Sequence, residues 1–176
     1  IRFLEGGWDV VGLDNMNDYY SVALKRDRLS EISKTASKLR RDFDIYEADL
    51  NSAIWKKFET LEFDTIIHLA AQAGVRYSIE NPSAYLYANV LGFQKLLDFL
   101  VEKKVKRFLY ASSSSVYGNT VKKCLTEEDP CNQPESYYAA TKKANEMMAY
   151  SYFRTHGIYS VGMRFFTVYG PWGRPD

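Results

Sequence analysis

The chain has 176 residues, of which 46% are hydrophobic and 26% are charged, values typical of a globular protein. Its 23 basic and 22 acidic residues give a formal net charge of +1, which argues against a protein held to nucleic acid or to an anionic membrane by bulk electrostatics. Two cysteines are too few for a disulfide scaffold, and a chain of this size buries a core without one.

Short apolar runs alternate with longer amphipathic ones, which predicts βαβ units around a parallel sheet. The expected elements in chain order are a helix tail ending at Gly6, strand 8–14, helix 22–41, strand 43–48, helix 52–61, strand 65–70, helix 82–102, strand 108–112, helix 137–156 and strand 158–166. The run 65–70 is almost continuously apolar, as is typical of a strand covered on both faces.

An open parallel sheet binds its ligand outside the carboxyl ends of its strands. Asp14 ends a strand and fits the acidic residue that holds an adenosine ribose in a Rossmann domain. That residue follows the glycine-rich turn by roughly 20 positions, which places the turn before residue 1. We therefore expect an α/β fold: a Rossmann-type doubly wound parallel sheet that lacks its first strand and glycine-rich turn.

Other strand ends supply further candidates for a dinucleotide site. Asp49 and Leu50 are placed to meet the adenine, and small residues after the next strand allow close approach of a cofactor to the backbone. The small residues lie within the run 69–74, and the cofactor candidates in this run are Leu69, Ala70, Ala71 and Gln72. The alternatives are a capping turn residue for Asp14 and helix–sheet packing for the small residues. A carboxylate at position 14 would repel a 2′-phosphate, which favours NAD over NADP.

The strongest local signal is Tyr138 followed four residues later by Lys142 on a predicted helix. This spacing puts the phenol and the ammonium on one face, one turn apart. A free phenol has a pKa of about 10, so a tyrosine base near neutrality needs its pKa lowered by about 3 units. An adjacent lysine is a source of that shift, although the same spacing also occurs in ordinary amphipathic helices.

A run of four serines, residues 112–115, follows a buried strand at the same sheet edge. A serine hydroxyl there can hydrogen-bond a substrate alcohol and orient the proton transfer. The combination of Ser, Tyr and Lys in this order is much more specific than any one of them.

With these motifs the sequence resembles the extended short-chain dehydrogenases/reductases, and among them the NAD-dependent nucleotide-sugar epimerases. The resemblance rests on residues 12–15, 49–50, 68–72, 112–118, 138–142 and 164–167. Within that family the sequence is most similar to UDP-glucuronate 4-epimerases, through residues 15–20, 73–78 and 167–176.

The resemblance implies roles for particular residues. Tyr138 would remove the C4 hydroxyl proton, Lys142 would tune Tyr138 and hold the nicotinamide ribose, and Ser113 would bind the C4 oxygen. The implied cofactor site comprises Asp14, Asn15, Asp49, Leu50, Leu69, Ala70, Ala71, Gln72, Asn89, Ser112, Tyr138, Lys142 and Phe165. The candidates for contact with the sugar and its carboxylate are Ser113, Ser114, Thr167, Arg174 and Arg76. No metal site is expected.

Similar enzymes also dehydrate or decarboxylate a 4-keto sugar. The dehydratases carry an Asp-Glu pair directly before Val-Tyr-Gly, where this chain has Ser114 and Ser115. The decarboxylases usually carry Glu at the second of these positions. The expected function is therefore interconversion of UDP-glucuronate and UDP-galacturonate. The alternatives are a UDP-glucuronate decarboxylase, a UDP-glucose/galactose 4-epimerase or a non-catalytic dinucleotide-binding domain.

Four expectations concern the molecule as a whole. Residues 1–176 are expected to form one incomplete NAD-binding domain without its smaller C-terminal substrate lobe, and to be inactive in isolation. Helices 82–102 and 137–156 are expected to form a homodimer seam. No apolar run approaches the roughly 20 residues that span a bilayer, so we expect a cytoplasmic protein, with an anchor before residue 1 left open.

Overall fold

The computed structural model describes residues 1–173. By their contacts these residues form two compact units, one of Ile1–Asp49 with residues 168–173 and one of Leu50–Thr167. The single domain expected from the sequence stays a prediction. In the described part of the chain, no helix is both long and apolar enough to cross a bilayer.

The first unit contains two helices and two parallel strands. They are α1 (Arg2–Glu5), β1 (Val10–Asp14), α2 (Val22–Leu39) and β2 (Phe43–Glu47). The Ser21 hydroxyl caps α2 by accepting a hydrogen bond from the Leu24 amide at 3.3 Å. The strands pair with Val10 opposite Phe43 and Asp14 opposite Glu47, so both end at the same edge of the sheet.

The second unit contains a parallel sheet of three strands in the order β3-β4-β5: β3 (Thr65–His68), β4 (Arg107–Ala111) and β5 (Ser160–Met163). The two sheets follow the orders 2-3 and 4-5-6 of the usual Rossmann arrangement 3-2-1-4-5-6. The predicted Rossmann-type α/β class is thus confirmed. The strands described in residues 1–173 form two separate hydrogen-bonded sheets rather than one.

The helices of the second unit cover the strands and carry most of the core. They are α3 (Tyr77–Glu80), α4 (Pro82–Tyr85), a π-helical segment (Leu86–Leu91), α5 (Gly92–Lys103) and α6 (Tyr137–His156), with 3₁₀ turns at Ala53–Phe58 and Ser114–Tyr117. Phe93, Leu97 and Leu100 on α5 are fully buried, and they pack with Phe108 and Tyr110 of β4. This cluster fixes the helices against the strand that leads into the serine run.

Several predicted boundaries are wrong in detail. The helix expected at 52–61 is a 3₁₀ turn over Ala53–Phe58, and α3 was not expected. The last strand ends at Met163 instead of residue 166. The strand predicted to be covered on both faces ends at His68, and Ile67 is 36% exposed, so one of its faces is open.

Candidate active site

Tyr138 and Lys142 lie on the first turns of α6, as predicted. The Ser136 hydroxyl caps this helix by accepting from the Ala139 amide at 3.1 Å, which fixes where its first turn begins. Lys142 Nζ lies 6.0 Å from the centroid of the Tyr138 ring. The helix therefore presents the phenol and the ammonium to the same region.

The Lys142 side chain is buried, with 2% of its surface exposed. Its ammonium donates to the Ala111 carbonyl at 2.9 Å, at the carboxyl end of β4. Burial lowers the pKa of Lys142 to about 8. The lysine thus remains mostly cationic at neutral pH while lying close to its titration range.

The serine run forms a 3₁₀ turn directly after β4. Ser113 precedes the turn, and its Oγ accepts from the Ser115 amide at 3.2 Å and from the Ser115 hydroxyl at 2.8 Å. Because Ser113 Oγ is the acceptor in both contacts, its own hydroxyl hydrogen can point to a ligand. Gly118 closes the turn at φ +65°, where a Cβ would clash with the Gln133 carbonyl, so only glycine fits.

Tyr85 supports Tyr138 from α4. The two rings meet edge to face, with centroids 6.0 Å apart. The Tyr85 hydroxyl donates toward the carbonyls of Ala73 at 2.8 Å and Gly74 at 2.5 Å. One buried side chain therefore contacts both the predicted base and the loop after β3. Sequence reasoning missed this residue, because an aromatic on an apolar helix face has no distinctive pattern.

Asn89 lies in the π-helical segment and is 1% exposed. Its Oδ1 accepts from the Gln72 amide at 2.7 Å, and its Nδ2 donates to the Gln72 carbonyl at 3.1 Å and to Thr141 Oγ1 at 3.1 Å. Asn145 Nδ2 donates to the backbone carbonyl of Asn89 at 2.7 Å. The predicted contact of Asn89 with the cofactor stays a prediction, whereas its contacts within the chain join the loop after β3 to α6.

Glu146 is a site residue that the sequence analysis did not identify. Its carboxylate accepts from the Ser112 hydroxyl at 2.7 Å, from Arg164 at 2.9 and 3.0 Å and from Lys143 at 3.2 Å. Ser112 was predicted to contact the cofactor, yet its hydroxyl proton is engaged by Glu146. The signal that was available is spacing, since Tyr138, Lys142 and Glu146 follow one another at intervals of four residues.

The first unit brings three predicted cofactor residues to one edge. The Asn15 amide donates to Asp49 Oδ2 at 3.0 Å, which joins the ends of β1 and β2. Asp14 Oδ1 accepts from the Met16 amide at 2.7 Å and lies 4.0 Å from Lys25 Nζ. The Asp14 side chain is 50% exposed, so its carboxylate can meet a ribose diol.

The remaining predicted residues differ in their accessibility. Leu69 is 62% exposed, Ala70 is exposed and Ala71 is half-buried, so the chain after β3 is open to a ligand. Leu50 accepts a hydrogen bond at its carbonyl from Trp55 Nε1 at 2.8 Å. Phe165 is 40% exposed, and its carbonyl accepts from the Ser114 amide at 2.8 Å.

The predicted sugar contacts come together only in part. Ser113 and Ser114 are adjacent on the serine turn, Thr167 is exposed beyond β5, and Arg76 is exposed directly before α3. Arg174 lies outside the described residues. Within residues 1–173, no group of three or more His, Cys, Asp or Glu side chains is placed to hold a metal ion.

His68 ends β3 in the buried interior and packs on Phe93, with ring centroids 5.4 Å apart. Burial, together with the nearby charge of Lys142, lowers the pKa of His68 to about 3. The histidine is therefore neutral over the physiological range, which fits the core role that its apolar strand predicts.

A parallel Rossmann-type fold with a Tyr and a Lys one turn apart, beside a serine turn at a strand end, defines the class of short-chain dehydrogenases/reductases. Comparison with known families agrees with this class and identifies a particular family within it. The model of the NAD-dependent epimerase/dehydratase family matches residues 2–176, and the chain belongs to that family.

Curated relatives are almost half identical to the chain over the aligned residues. Protein CapI of Staphylococcus aureus is 46% identical over 178 residues, covering 99% of this chain and 51% of the relative. UDP-glucuronate 4-epimerase 3 of Arabidopsis thaliana is 47% identical over 173 residues, covering 97% of this chain and 39% of the relative. The chain thus spans about half the length of the first relative and less of the second.

Solved structures agree with this placement. A mutant of UDP-glucuronic acid 4-epimerase from Bacillus cereus, in complex with UDP-4-deoxy-4-fluoro-glucuronic acid and NAD, superposes with a TM-score of 0.87 at 29% identity. The match covers 99% of this chain and 54% of that structure. The same enzyme in complex with UDP-glucuronic acid and NAD gives 0.80 at 30% identity, covering 97% and 52%.

Proposed function

We propose that this chain forms the cofactor-binding and catalytic part of an NAD-dependent 4-epimerase that interconverts UDP-glucuronate and UDP-galacturonate. The observation that carries the proposal is the geometry at the end of β4. There the buried Lys142 ammonium holds the Ala111 carbonyl at 2.9 Å, one turn from Tyr138 and directly before the serine turn. The relatives and solved structures named for UDP-glucuronate epimerases support the choice of substrate.

The residues present fit NAD. Asp14 offers an exposed carboxylate for a ribose diol, and the short side chains of Ala70 and Ala71 let a ligand approach the backbone after β3. Lys142 would hold the nicotinamide ribose. Bound NAD⁺ would supply the hydride acceptor for oxidation of the sugar at C4 and the hydride donor for its reduction on the opposite face.

The proton steps belong to side chains of the chain itself. Tyr138 would take the proton of the C4 hydroxyl as the general base, and the adjacent Lys142 charge favours the phenolate that this requires. Ser113 would donate its hydroxyl hydrogen to the C4 oxygen and hold it in line with Tyr138. The sugar then becomes a 4-keto intermediate, and Tyr138 gives the proton back after the ring has turned over.

The side chains of the serine turn favour epimerisation over the related reactions. Ser114 and Ser115 stand where an acid–base pair for elimination would be needed, and a hydroxyl cannot replace a carboxylate in that role. Thr167 and Arg174 would recognise the sugar carboxylate, since Arg binds a carboxylate through two parallel hydrogen bonds.

The proposal predicts a specific product. Incubation of the full-length protein with UDP-glucuronate and NAD⁺ is expected to yield UDP-galacturonate without net change in NAD⁺, because the hydride is returned. Separation of the sugar nucleotides by anion-exchange chromatography, with each product identified by NMR, measures this. UDP-glucose is the matched control, since it lacks the carboxylate and is expected to react far more slowly.

Other products would contradict the proposal in distinct ways. A UDP-pentose with release of carbon dioxide would identify a decarboxylase. Preference for UDP-glucose would identify a neutral-sugar epimerase, and retained NAD binding without turnover of either nucleotide would identify a binding domain.

We also propose that two copies of the protein associate through the helical layer formed by residues 82–103 and α6. Large apolar side chains on these helices are exposed in the second unit: Leu86 at 51%, Tyr87 at 49%, Leu91 at 44%, Met147 at 58% and Tyr150 at 59%. The two helices pack on each other, and the Tyr152 hydroxyl on α6 donates to Asp98 on α5 at 2.6 Å. Large apolar side chains exposed on two helices that pack together favour an association surface.

If two copies associate through this surface, one charged side chain introduced into it is expected to weaken the dimer. The unmodified protein is expected to sediment as a dimer at micromolar concentration, and Met147→Glu is expected to shift it toward monomer by burying an unpaired charge. Lys106→Glu, at an exposed position outside the two helices, serves as the control. A protein that sediments only as monomer would remove this proposal.

A further inference from the structure

Ser113 is held in place by its neighbours. On one side, the Ala111 carbonyl is bound by Lys142, and the Ser112 hydroxyl is bound by Glu146. On the other side, the Ser114 amide donates to the Phe165 carbonyl at 2.8 Å. Three hydrogen bonds therefore hold the chain on both sides of Ser113 and fix the position from which its hydroxyl projects.

Glu146 lies at the centre of these attachments. It lies one turn after Lys142 on α6, binds the end of β4 through Ser112 and binds the residue after β5 through both oxygens to Arg164. Arg164 in turn places its guanidinium 4.9 Å from the centroid of the Tyr117 ring, on the far side of the serine turn. One carboxylate thus connects α6, β4 and the chain after β5.

The electrostatics favour a permanently ionised Glu146. Burial opposes its ionisation, but hydrogen bonds from Arg164, Ser112 and Lys143 outweigh this effect and hold the pKa of Glu146 below its usual value. Charge-assisted hydrogen bonds of this kind are stronger and better defined in direction than neutral ones. Glu146 is therefore held as a carboxylate that accepts these hydrogen bonds at neutral pH.

We propose that Glu146 is a positioning residue for the epimerase reaction: it sets the Ser113 hydroxyl relative to Tyr138 by fixing Ser112 and Arg164. This inference rests on the proposed function and adds a residue to it. Both carboxylate oxygens of Glu146 are bonded to side chains of the protein, and in this proposal its effect on the reaction passes through Ser113.

The first test is independent of turnover. Hydrogen exchange is measured on the full-length protein and on Glu146→Gln, which keeps the side-chain volume and removes the charge. Amides of the serine turn that are hydrogen-bonded, at positions 114, 115, 116 and 118, are expected to exchange faster in the variant. Amides of β3 and of the first turns of α6 are expected to keep their protection. Unchanged exchange in the serine turn, or a uniform loss of protection, would overturn the inference.

Asp98→Asn is the matched control for this substitution. Asp98 on α5 also accepts a hydrogen bond from a side-chain hydroxyl, that of Tyr152 at 2.6 Å, but it does not contact the serine turn. Its replacement makes the same chemical change on a neighbouring helix. We expect it to leave exchange at positions 114–118 unaltered.

The second test is a double-mutant cycle on turnover. Glu146→Gln is expected to lower kcat about tenfold or more, since hydrogen bonds to charged groups contribute about that factor, with a much smaller change in KM. In a protein that already carries Ser113→Ala, Glu146→Gln is expected to lower kcat less than threefold, because its effect passes through Ser113.

The two proposals fail in different ways. Equal costs of Glu146→Gln in both backgrounds would show a general structural role and would overturn the inference while leaving the epimerase function intact. If the unmodified protein does not convert UDP-glucuronate, the proposed function fails, and the exchange measurement still decides the role of Glu146.

Discussion

Replacing Tyr138 by Phe is expected to reduce epimerase turnover of the full-length protein by about 10²–10⁴-fold, because general base catalysis contributes roughly that much. The substitution removes only the phenolic oxygen, and the ring keeps its edge-to-face contact with Tyr85. NAD affinity is therefore expected to change little. Steady-state kinetics with UDP-glucuronate and a calorimetric titration with NAD⁺ measure the two quantities separately.

The neighbouring tyrosine provides the control. Tyr137 lies one position earlier on α6 and is 40% exposed. Its replacement by Phe removes a phenolic oxygen in the same way. Tyr137→Phe is expected to retain full activity. Near-normal turnover of Tyr138→Phe would contradict the assignment of the base, and loss of activity in both variants would indicate disruption of the helix start.

Replacing Lys142 by Met is expected to change the pH dependence of stability. The pKa of Lys142 is 10.5 in the unfolded chain and is lowered to about 8 by burial in the folded one. Between these pH values the unfolded state binds the proton that the folded state has released, so this lysine makes the free energy of unfolding rise with pH from about 8 to 10.5. The rise amounts to roughly 3 kcal/mol over the full window.

Urea unfolding of the chain at several pH values between 8 and 10 measures this effect. Lys142→Met is expected to remove the rise, because methionine fills the same space without a proton. Lys143→Met, at the half-buried neighbouring position, is expected to keep it. If the free energy of unfolding has the same slope against pH in both variants, Lys142 does not titrate in this range. The Lys142 substitution is also expected to reduce turnover strongly, since it removes the charge beside Tyr138.

Sequence patterns predicted the elements that depend on periodicity and capping. The helix Tyr137–His156 has its expected bounds, because Ser136 is a strong cap and Gly157 an effective terminator. The stacking of Tyr138 and Lys142 followed from spacing alone. The predicted parallel sheet also placed the strand ends at Asn15 and Asp49 at one edge, whereas the hydrogen bond between these two side chains is a finding of the structure.

Features that depend on tertiary contacts could not be predicted. The periodicity over residues 82–102 fits a regular helix and gives no sign of the π geometry of residues 86–91, within which Asn89 is buried. Glu146 reads as an ordinary charged residue on a helix, since its partners Ser112 and Arg164 are distant in sequence. The 3₁₀ turn at Ala53–Phe58 satisfies the same cap and apolar positions that indicated an α-helix.

In the π-helical segment, the contacts of Asn89 can change independently of the packing of the flanking helices. A π turn accommodates one residue more than an α turn, because its hydrogen bonds span five residues instead of four. Deleting a single residue within 86–91 would restore regular geometry and keep both flanking helices in phase with the core. It would, however, withdraw Asn89 from Gln72 and Thr141. A change of one residue in chain length at this point would therefore alter the contacts of Asn89 with the loop after β3 and with α6, while the flanking helices keep their packing.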